Sequence, residues 1–122
     1  MNHNINISED DKYIIVKATG NISRLLVIQY FVEAHTLGAQ KSLDRYLVDF
    51  TECRNTDTVL RNYTLAYEDM KDPRINQSAR TALLVSLHDH SHDFLETLLR
   101  NSGNDVTLFH DRELAVWHLL KS

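Results

Sequence analysis

The sequence predicts an α/β fold with a mainly parallel five-stranded sheet and an antiparallel N-terminal hairpin, in the order β-β-α-β-α-β-α-β-α. Strand-like and helix-like segments alternate after the hairpin, which indicates right-handed crossovers between parallel strands. Residues 81–87 are almost continuously apolar, as is typical of a strand covered on both faces. The chain has 122 residues, of which 43% are hydrophobic and 25% are charged. This length and composition predict a single domain over residues 1–122.

The chain begins with two segments of strand character. Ile5 and Ile7 alternate with asparagine, which indicates a short edge strand. Residues 13–18 are rich in β-branched side chains and indicate a second strand, which Gly20 ends. We expect these two strands to pair in the antiparallel direction.

The middle of the chain predicts a strand over residues 43–50, with Asp49 at its end, and then a helix. The side-chain oxygen of Asn55 or Thr56 can cap that helix. Its apolar side chains recur at helical spacing, which predicts that they face the core. They are Val59, Leu60, Tyr63, Ala66, Tyr67 and Met70.

The last third of the chain predicts two further strand–helix units. The apolar strand over residues 81–87 leads into one helix, and a short strand over 106–109 leads into the final helix. We expect the final helix to place Trp117 in the core beside Leu114 and Leu120, because large apolar side chains are usually buried.

Charge and targeting signals exclude several classes of protein. Lys plus Arg is 13 and Asp plus Glu is 17, so the net charge is −4, and the basic residues are scattered singly. We therefore expect no nucleic-acid partner. No segment reaches the roughly 18 apolar residues of a transmembrane helix, and the N-terminus lacks a signal-peptide pattern. The lone cysteine, Cys53, suits a reducing compartment, so we predict a cytoplasmic protein.

Motifs for cofactor binding are absent from the sequence. Three glycines spread along the chain cannot form a Gly-x-Gly-x-x-Gly loop or a P-loop, and no Gly-x-Ser-x-Gly elbow is present. Cys53 precedes Arg54, whose charge would lower the thiol pKa if they were close, but a lone cysteine is more often a buried apolar residue. We predict no catalytic residue and no cofactor.

A histidine-rich stretch is the unusual local feature of the sequence. His88, His90 and His92 would share a face in an extended segment, and imidazole is a common metal ligand. A third or fourth ligand would have to come from elsewhere, and no second cysteine or His-Glu-x-x-His motif supplies it. We therefore predict a polar loop without a metal, and keep a metal site as an alternative.

The first predicted helix, from Ser23 to about Gly38, carries a wide apolar arc. A surface helix on a sheet needs an apolar stripe of about 100°, and this arc exceeds it. Either neighbouring helices or a second subunit must cover the surplus. We predict a homodimer that pairs through this helix, with Leu26 and Tyr30 at its surface.

Four stretches share their order and spacing with a known family. Residues 13–23 are YIIVKATGNIS, residues 46–50 are YLVDF, residues 81–85 are TALLV and residues 106–117 are VTLFHDRELAVW. Together they resemble the STAS domain superfamily, in its SpoIIAA-like branch, which is related to bacterial anti-sigma-factor antagonists. The resemblance spans roughly residues 5–120 and implies a STAS-like fold.

The resemblance also implies a candidate switch and partner surface. Regulatory members of the family carry Asp-Ser-Ser-Gly at the start of the helix after the third strand, and a partner kinase phosphorylates the second serine. The matching residues here are Asp57, Thr58, Val59 and Leu60. Val59 stands at the position of the phosphorylated serine and cannot accept phosphate. We expect Thr58 to belong to the first helical turn, and its phosphorylation stays an open alternative.

The sequence and the resemblance predict a non-catalytic regulatory or protein-interaction module that binds a partner protein or itself. One alternative is a carrier of a small apolar ligand or lipid, because this branch is also likened to CRAL-TRIO domains. That alternative requires a cavity of about 300 Å³ or more. The other alternative is a metal-dependent enzyme at the loop formed by residues 88–92.

Overall fold

The computed structural model describes residues 2–122 and confirms the predicted α/β architecture. The strands are β1 His3–Ile7, β2 Ile14–Ile22, β3 Arg45–Asn55, β4 Arg80–Leu84 and β5 Asp105–Phe109. The helices are α1 Arg24–Lys41, α2 Val59–Tyr67, α3 Asp93–Asn101 and α4 Arg112–Leu120, with a 3-10 turn at Asp69–Lys71. The five strands form one sheet in the order β1-β2-β3-β4-β5, in which β1 is antiparallel to β2 and the other pairs are parallel.

The helices divide unequally between the two faces of the sheet. α1, α2 and α3 cover one face, here called the near face, and enclose the larger part of the core. α4 lies on the opposite or far face, where Ala115 and Leu119 pack with Leu47, Ala82 and Leu84. With nine residues resting mainly on β3 and β4, α4 covers the far face only in part. No helix within residues 2–122 has the length and apolar character needed to cross a membrane.

β3 is longer than the sequence predicted and contains a bulge. The strand continues to Asn55, so Asp49 lies within it and not at its end. Lys17 of β2 pairs with Asp49, but Thr19 pairs with Glu52, so β3 has one extra residue between these pairs. A bulge of this kind bends the strand and changes which side chains face the core beyond it.

α1 continues past Gly38 because this glycine is a packing position. A Cβ atom added there would lie 2.0 Å from Oη of Tyr46 and 2.8 Å from the carbonyl oxygen of Leu43. The helix ends instead at Ser42, which has a left-handed φ of 56° and donates its backbone N–H to the carbonyl of Gly38. The missing side chain lets α1 approach β3 closely.

The wide apolar arc of α1 is covered within the chain. Tyr30 is 2% exposed and lies in the near-face core. Leu26 is half-buried and packs against the same core, whereas Leu25 is 67% exposed. The placement of Tyr30 at the surface of a dimer is therefore wrong, because the sheet and neighbouring helices take up the surplus apolar area that a second subunit was expected to cover.

β4 lies inside the sheet, as predicted. It is flanked by β3 and β5, and Leu83 packs into the near-face core while Leu84 packs into the far-face core. Val85, directly after the strand, is 1% exposed. Burial on both faces explains why this part of the sequence is continuously apolar.

α4 turns a different side to the sheet from the one that the sequence predicted. Ala115 and Leu119 are 0% exposed, whereas Leu114, Trp117 and Leu120 are 57%, 65% and 40% exposed. The predicted burial of Trp117 is therefore wrong. The small side chain of Ala115 lets the helix lie close to the sheet, and the bulky side chains then occupy the outward side.

A buried carboxylate ties α4 to the sheet. Asp49 is 2% exposed, and its Oδ2 accepts a hydrogen bond from Arg112 at 2.5 Å and lies 3.5 Å from Nζ of Lys17. Its Oδ1 accepts from the backbone N–H and the hydroxyl of Thr51 at 3.0 and 2.7 Å. Burial raises the pKa of Asp49, but the bonds from Thr51 and the charges of Lys17 and Arg112 together hold it below its usual value. Because Arg112 is the first residue of α4, this contact links the start of the helix to the middle of β3.

A small cavity lies beside His35 in the near-face core. Its volume is about 20 Å³, and its polar lining includes Asn76, Thr81 and Asn104. His35 is 7% exposed, its Nδ1 accepts from the backbone N–H of Asn76 at 2.9 Å, and its ring stacks on Tyr46 at 4.2 Å. The cavity has room for about one water molecule. It is far below the roughly 300 Å³ of a ligand pocket, so it does not support the apolar-carrier alternative.

Replacing Asp49 by alanine is expected to lower the free energy of unfolding by about 2 kcal/mol, because Thr51 loses its acceptor and α4 loses its tether. The matched control is Asp44→Ala, which removes an exposed carboxylate 4.0 Å from Arg45. The control is expected to cost less than about 0.5 kcal/mol. Urea unfolding followed by circular dichroism measures both, and equal losses would contradict the role given to Asp49.

Mild acid is expected to destabilise the fold through His35. Burial lowers the pKa of His35 from 6.5 to about 4. Between pH 6.5 and about pH 4 the unfolded chain binds a proton at this histidine that the folded chain does not bind. The free energy of unfolding therefore decreases by up to about 3 kcal/mol as the pH is lowered through this range. His35→Gln removes this titration and keeps an acceptor for Asn76.

Urea unfolding at about pH 7 and about pH 4.5 measures how much stability the parent and the His35→Gln variant each lose on acidification. The His35→Gln variant is expected to lose less stability on acidification than the parent. Burial also lowers the pKa values of His92 and His118, and these residues contribute equally to both proteins. Identical losses would show that His35 is not held neutral by the fold.

Candidate functional site

Two side chains of the candidate switch stretch organise the start of α2. Thr58 is the N-cap, and its Oγ1 accepts from the backbone N–H of Arg61 at 3.1 Å. Oδ2 of Asp57 accepts from the backbone N–H of Arg24 at 2.6 Å, which joins the start of α1 to the start of α2. Oδ1 of Asp57 lies 3.7 Å from Nη1 of Arg61. Thr58 therefore precedes the first turn as its cap, where the sequence analysis expected a residue of the turn itself.

Asn55 positions α2 without capping it. Its Nδ2 donates to Oδ1 of Asn62 at 2.7 Å, and Nδ2 of Asn62 donates to the carbonyl of Thr58 at 3.0 Å. Asn62 is only 8% exposed, and its amide occupies a position facing the core. The predicted cap at Asn55 or Thr56 is wrong, because Asn55 uses its side chain to anchor the inward face of the helix.

The inward position of Asn62 turns three large apolar side chains to solvent. The buried residues of α2 are Asn62, Leu65 and Ala66. Val59, Leu60 and Tyr63 are 69%, 74% and 50% exposed, although the sequence predicted that they face the core. We call these three residues the α2 patch. The apolar periodicity assigned them to the wrong side of the helix, because the helix buries the hydrogen-bonded amide of Asn62 where an apolar side chain was expected.

Hydrogen bonds from Arg24 of α1 hold both ends of the helix that carries the α2 patch. Nε and Nη2 of Arg24 donate to the two carboxylate oxygens of Asp69 at 2.6 and 3.1 Å, in a bidentate pair. Together with Asp57, this pair holds the start of α1 against both ends of α2. Leu25, in the first turn of α1, is a further exposed apolar side chain, at 67%.

The three candidate histidines are not brought together. His88 is exposed, and the exposed His90 places its Nδ1 2.9 Å from Oδ2 of Asp93. His92 is 0% exposed, and its Nε2 lies 3.2 Å from the carbonyl of Cys53 and 3.4 Å from Oδ2 of Asp89. Within residues 2–122 no group of three or more His, Cys, Asp or Glu side chains is placed to hold a metal ion.

An open cleft of about 600 Å³ lies along the carboxyl-terminal parts of β2 and β3 and the segment that follows β4, lined by residues 20–21, 51–54 and 86–89. Cys53 is part of this lining but is 3% exposed, and burial raises the pKa of its thiol to about 11. Arg54 points to Asp89, with Nη1 and Oδ1 3.7 Å apart. The thiol is therefore protonated at neutral pH, and Arg54 does not activate it.

The start of α2 combines exposed apolar side chains with the backbone N–H groups of a helix N-terminus. Apolar side chains of this size can bury area against another protein. The helix N-terminus tolerates a negative charge nearby, which includes phosphate on the exposed Thr58. The arrangement therefore suits docking of a protein surface, with Thr58 as a place where charge can be added.

The comparisons with known proteins bear on the fold. A crystal structure of an uncharacterised DUF3478-family protein with a SpoIIAA-like fold, from Shewanella loihica PV-4, is similar to this chain with a TM-score of 0.58. The two sequences are 16% identical, and the similarity covers 97% of this chain and 92% of that one. No protein-family model and no curated protein matches the chain. The fold that the resemblance implied is thus confirmed: this chain has the SpoIIAA-like form of the α/β fold.

Proposed function

We propose that this chain is a non-catalytic, cytoplasmic regulatory module that binds a partner protein through the α2 patch. The supporting observation is the exposure of Val59, Leu60 and Tyr63, at 69%, 74% and 50%, on a helix whose two ends are fixed. Large apolar and aromatic side chains that cluster on a rigid surface are typical of the centre of a protein interface. The net charge of −4 favours a protein partner over a nucleic acid.

The sequence of the patch also bears on how binding is regulated. In regulatory relatives of this fold the phosphorylated serine lies at the position of Val59, as the resemblance implies. A valine there presents an apolar contact that no kinase can change. Phosphorylation at position 59 therefore cannot switch binding on or off. Thr58, the preceding residue, has a hydroxyl group, and phosphate added there could still change binding.

Leu60→Asp is expected to weaken binding of the partner at least about ten-fold, because it puts a charge at the most exposed residue of an apolar contact. The partner is first captured from lysate of the native host on the immobilised full chain and identified by mass spectrometry. The purified partner is then titrated against the parent and the variant by calorimetry. Leu60 is 74% exposed, so the substitution is expected to leave the fold intact.

The matched control is Leu87→Asp, the same chemical change at a 66% exposed leucine in the turn after β4, outside the α2 patch. It is expected to leave the affinity for the partner unchanged. Equal loss in both variants, or no loss in Leu60→Asp, would exclude the α2 patch as the binding surface.

Protein isolated from the native host is expected to carry no phosphate at position 59, since valine has no hydroxyl. Intact-mass analysis followed by peptide mapping measures this and also reports on Thr58. We expect an unmodified intact mass. Stoichiometric phosphate at Thr58 would contradict constitutive binding and show a switch displaced by one residue.

A further inference from the structure

The two edges of the sheet differ in how their outward backbone groups are protected. β5 forms one edge, where Oε2 of Glu96 accepts a hydrogen bond from the backbone N–H of Leu108 at 2.6 Å. β1 forms the other edge, and its residues 3–7 include no proline and no Asp, Glu, Lys or Arg. It pairs with β2 without a register shift. Proline, charge, bulges and covering groups are the usual means of keeping an edge strand from pairing, so the β1 edge is open to a further strand.

The hydrogen bonds to β2 identify which residues of β1 turn their backbone groups outward. At the two ends of the ladder, the carbonyl of Asn2 accepts from the N–H of Thr19 at 3.0 Å, and the N–H of Ser8 donates to the carbonyl of Tyr13 at 2.8 Å. Successive residues of a strand direct their N–H and C=O groups to opposite sides. The even-numbered residues therefore bond to β2, and the odd-numbered residues present their backbone groups to the open edge. They are His3, Ile5 and Ile7. Within residues 2–122 these outward backbone groups have no hydrogen-bond partner.

A second copy of β1 matches this edge in an antiparallel register centred on Ile5. A two-fold axis perpendicular to the sheet places Ile5 opposite Ile5 of the other copy and His3 opposite Ile7. All of these residues turn their backbone groups outward, so the three opposed pairs exchange about six hydrogen bonds. Side chains directly opposite each other in an antiparallel pair lie on the same face of the sheet. Asn4 of each copy therefore faces Asn6 of the other, and their exposed amides both donate and accept hydrogen bonds.

The near face of the sheet has room for this pairing. The side chains of Ile5 and Ile7 lie on that face and are half-buried, beside α1, which packs on β2 and β1. In the paired sheet the two β2 strands are three strand spacings apart, about 14 Å. A helix with its side chains is about 10 Å across, so the two α1 helices lie side by side without overlap. Ile5 and Ile7 of both copies then fill the space between the helices, which completes their burial.

We infer that the β1 edge is a self-association surface, and that its occupant is β1 of a second copy of this chain in the antiparallel pair centred on Ile5. The pairing joins the two sheets into one. Since β1 contains no Asp, Glu, Lys or Arg, no such charges are opposed across the seam. Five residues a side are fewer than the roughly 20–30 of a standard interface, so we expect a dimer that forms at micromolar concentrations. The pair uses no residue of the α2 patch.

An extended peptide of a different protein is the other occupant that an open sheet edge suggests. Such a peptide would bond to the same outward groups, but it would bring no second helix. One side of Ile5 and Ile7 would then stay uncovered on the near face. The observations therefore favour a second copy, and a chain that stays monomeric at every concentration is the outcome that the peptide alternative requires.

Sedimentation equilibrium of the full chain, from about 1 to about 500 μM, tests the inference. The mass of the parent is expected to rise from 14.2 kDa toward twice that value. Ile5→Pro removes the outward N–H at the centre of the pair and leaves the bonds between β1 and β2, so it is expected to weaken association at least about ten-fold. The matched control Ile5→Val keeps this N–H and a β-branched side chain, and is expected to associate like the parent.

Charges placed at Asn4 and Asn6 test the register. Both side chains are exposed, so the fold is expected to tolerate their replacement, and thermal unfolding checks this. Asn4→Lys combined with Asn6→Lys sets like charges opposite each other twice across the seam, and is expected to weaken association at least about ten-fold. Asn4→Glu combined with Asn6→Lys sets opposite charges there, and is expected to associate at least as tightly as the parent.

Amide hydrogen exchange followed by NMR locates the contact in the parent. The N–H of Ile5 is expected to exchange several-fold more slowly at about 500 μM than at about 20 μM, since only association supplies its acceptor. Leu60→Asp in the α2 patch is expected to dimerise like the parent, so failure of the partner-binding proposal is distinguishable from failure of this one. A monomer at every concentration, a dimer unaffected by Ile5→Pro, or equal association of the two charge variants would overturn the inference.

Discussion

The buried carboxylate of Asp49 and its ion pair with Arg112 tie the last helix to the sheet, and that helix keeps several large apolar side chains on its outer side. A carboxylate 2% exposed in the middle of β3 requires partners, and Thr51, Lys17 and Arg112 supply them. Because Arg112 begins α4, the bond that satisfies Asp49 also links the start of this helix to the middle of β3. Ala115 and Leu119 then face the sheet, and the larger apolar side chains are left on the outside.

The unequal covering of the sheet separates two surfaces. Three helices cover the near face, and their packing absorbs the apolar arc of α1, which leaves the α2 patch at one corner. On the far face one nine-residue helix packs over the centre of the sheet and leaves Leu114, Trp117 and Leu120 exposed. Because the two surfaces lie on opposite faces of the sheet, contacts made at one do not compete with contacts made at the other.

Several polar residues that suggested chemistry have structural roles in the fold. His35 accepts a backbone N–H from the loop at Asn76 and stacks on Tyr46, and His92 bonds the carbonyl of Cys53. Both rings are buried, and burial lowers the pKa of each, so they are held as neutral hydrogen-bonding groups. Their positions join loops to strands over long sequence separations. His35 in α1 and His92 before α3 therefore help to hold the core together, whereas His88 and His90 are exposed to solvent.

The sequence by itself determined the order of strands and helices, the antiparallel hairpin and the interior position of β4, because these depend on local propensity and on the alternation of apolar segments. The SpoIIAA-like fold was implied by the resemblance of four stretches to a known family. It placed the candidate surface at Asp57, Thr58 and Val59, but the exposure of that surface was decided by the tertiary structure. α2 and α4 are each nine residues long and carry apolar side chains on more than one side, so their periodicity does not say which side faces the sheet. That choice depends on contacts that the periodicity does not register, namely the bond of Asn62 to Asn55 at the end of β3 and the bond of Arg112 to Asp49 across 63 positions of the chain, together with the packing of Ala115 and Leu119 on the sheet. The same long-range packing buried Tyr30 and exposed Trp117, because the closeness with which a helix can approach a sheet depends on the side chains of both.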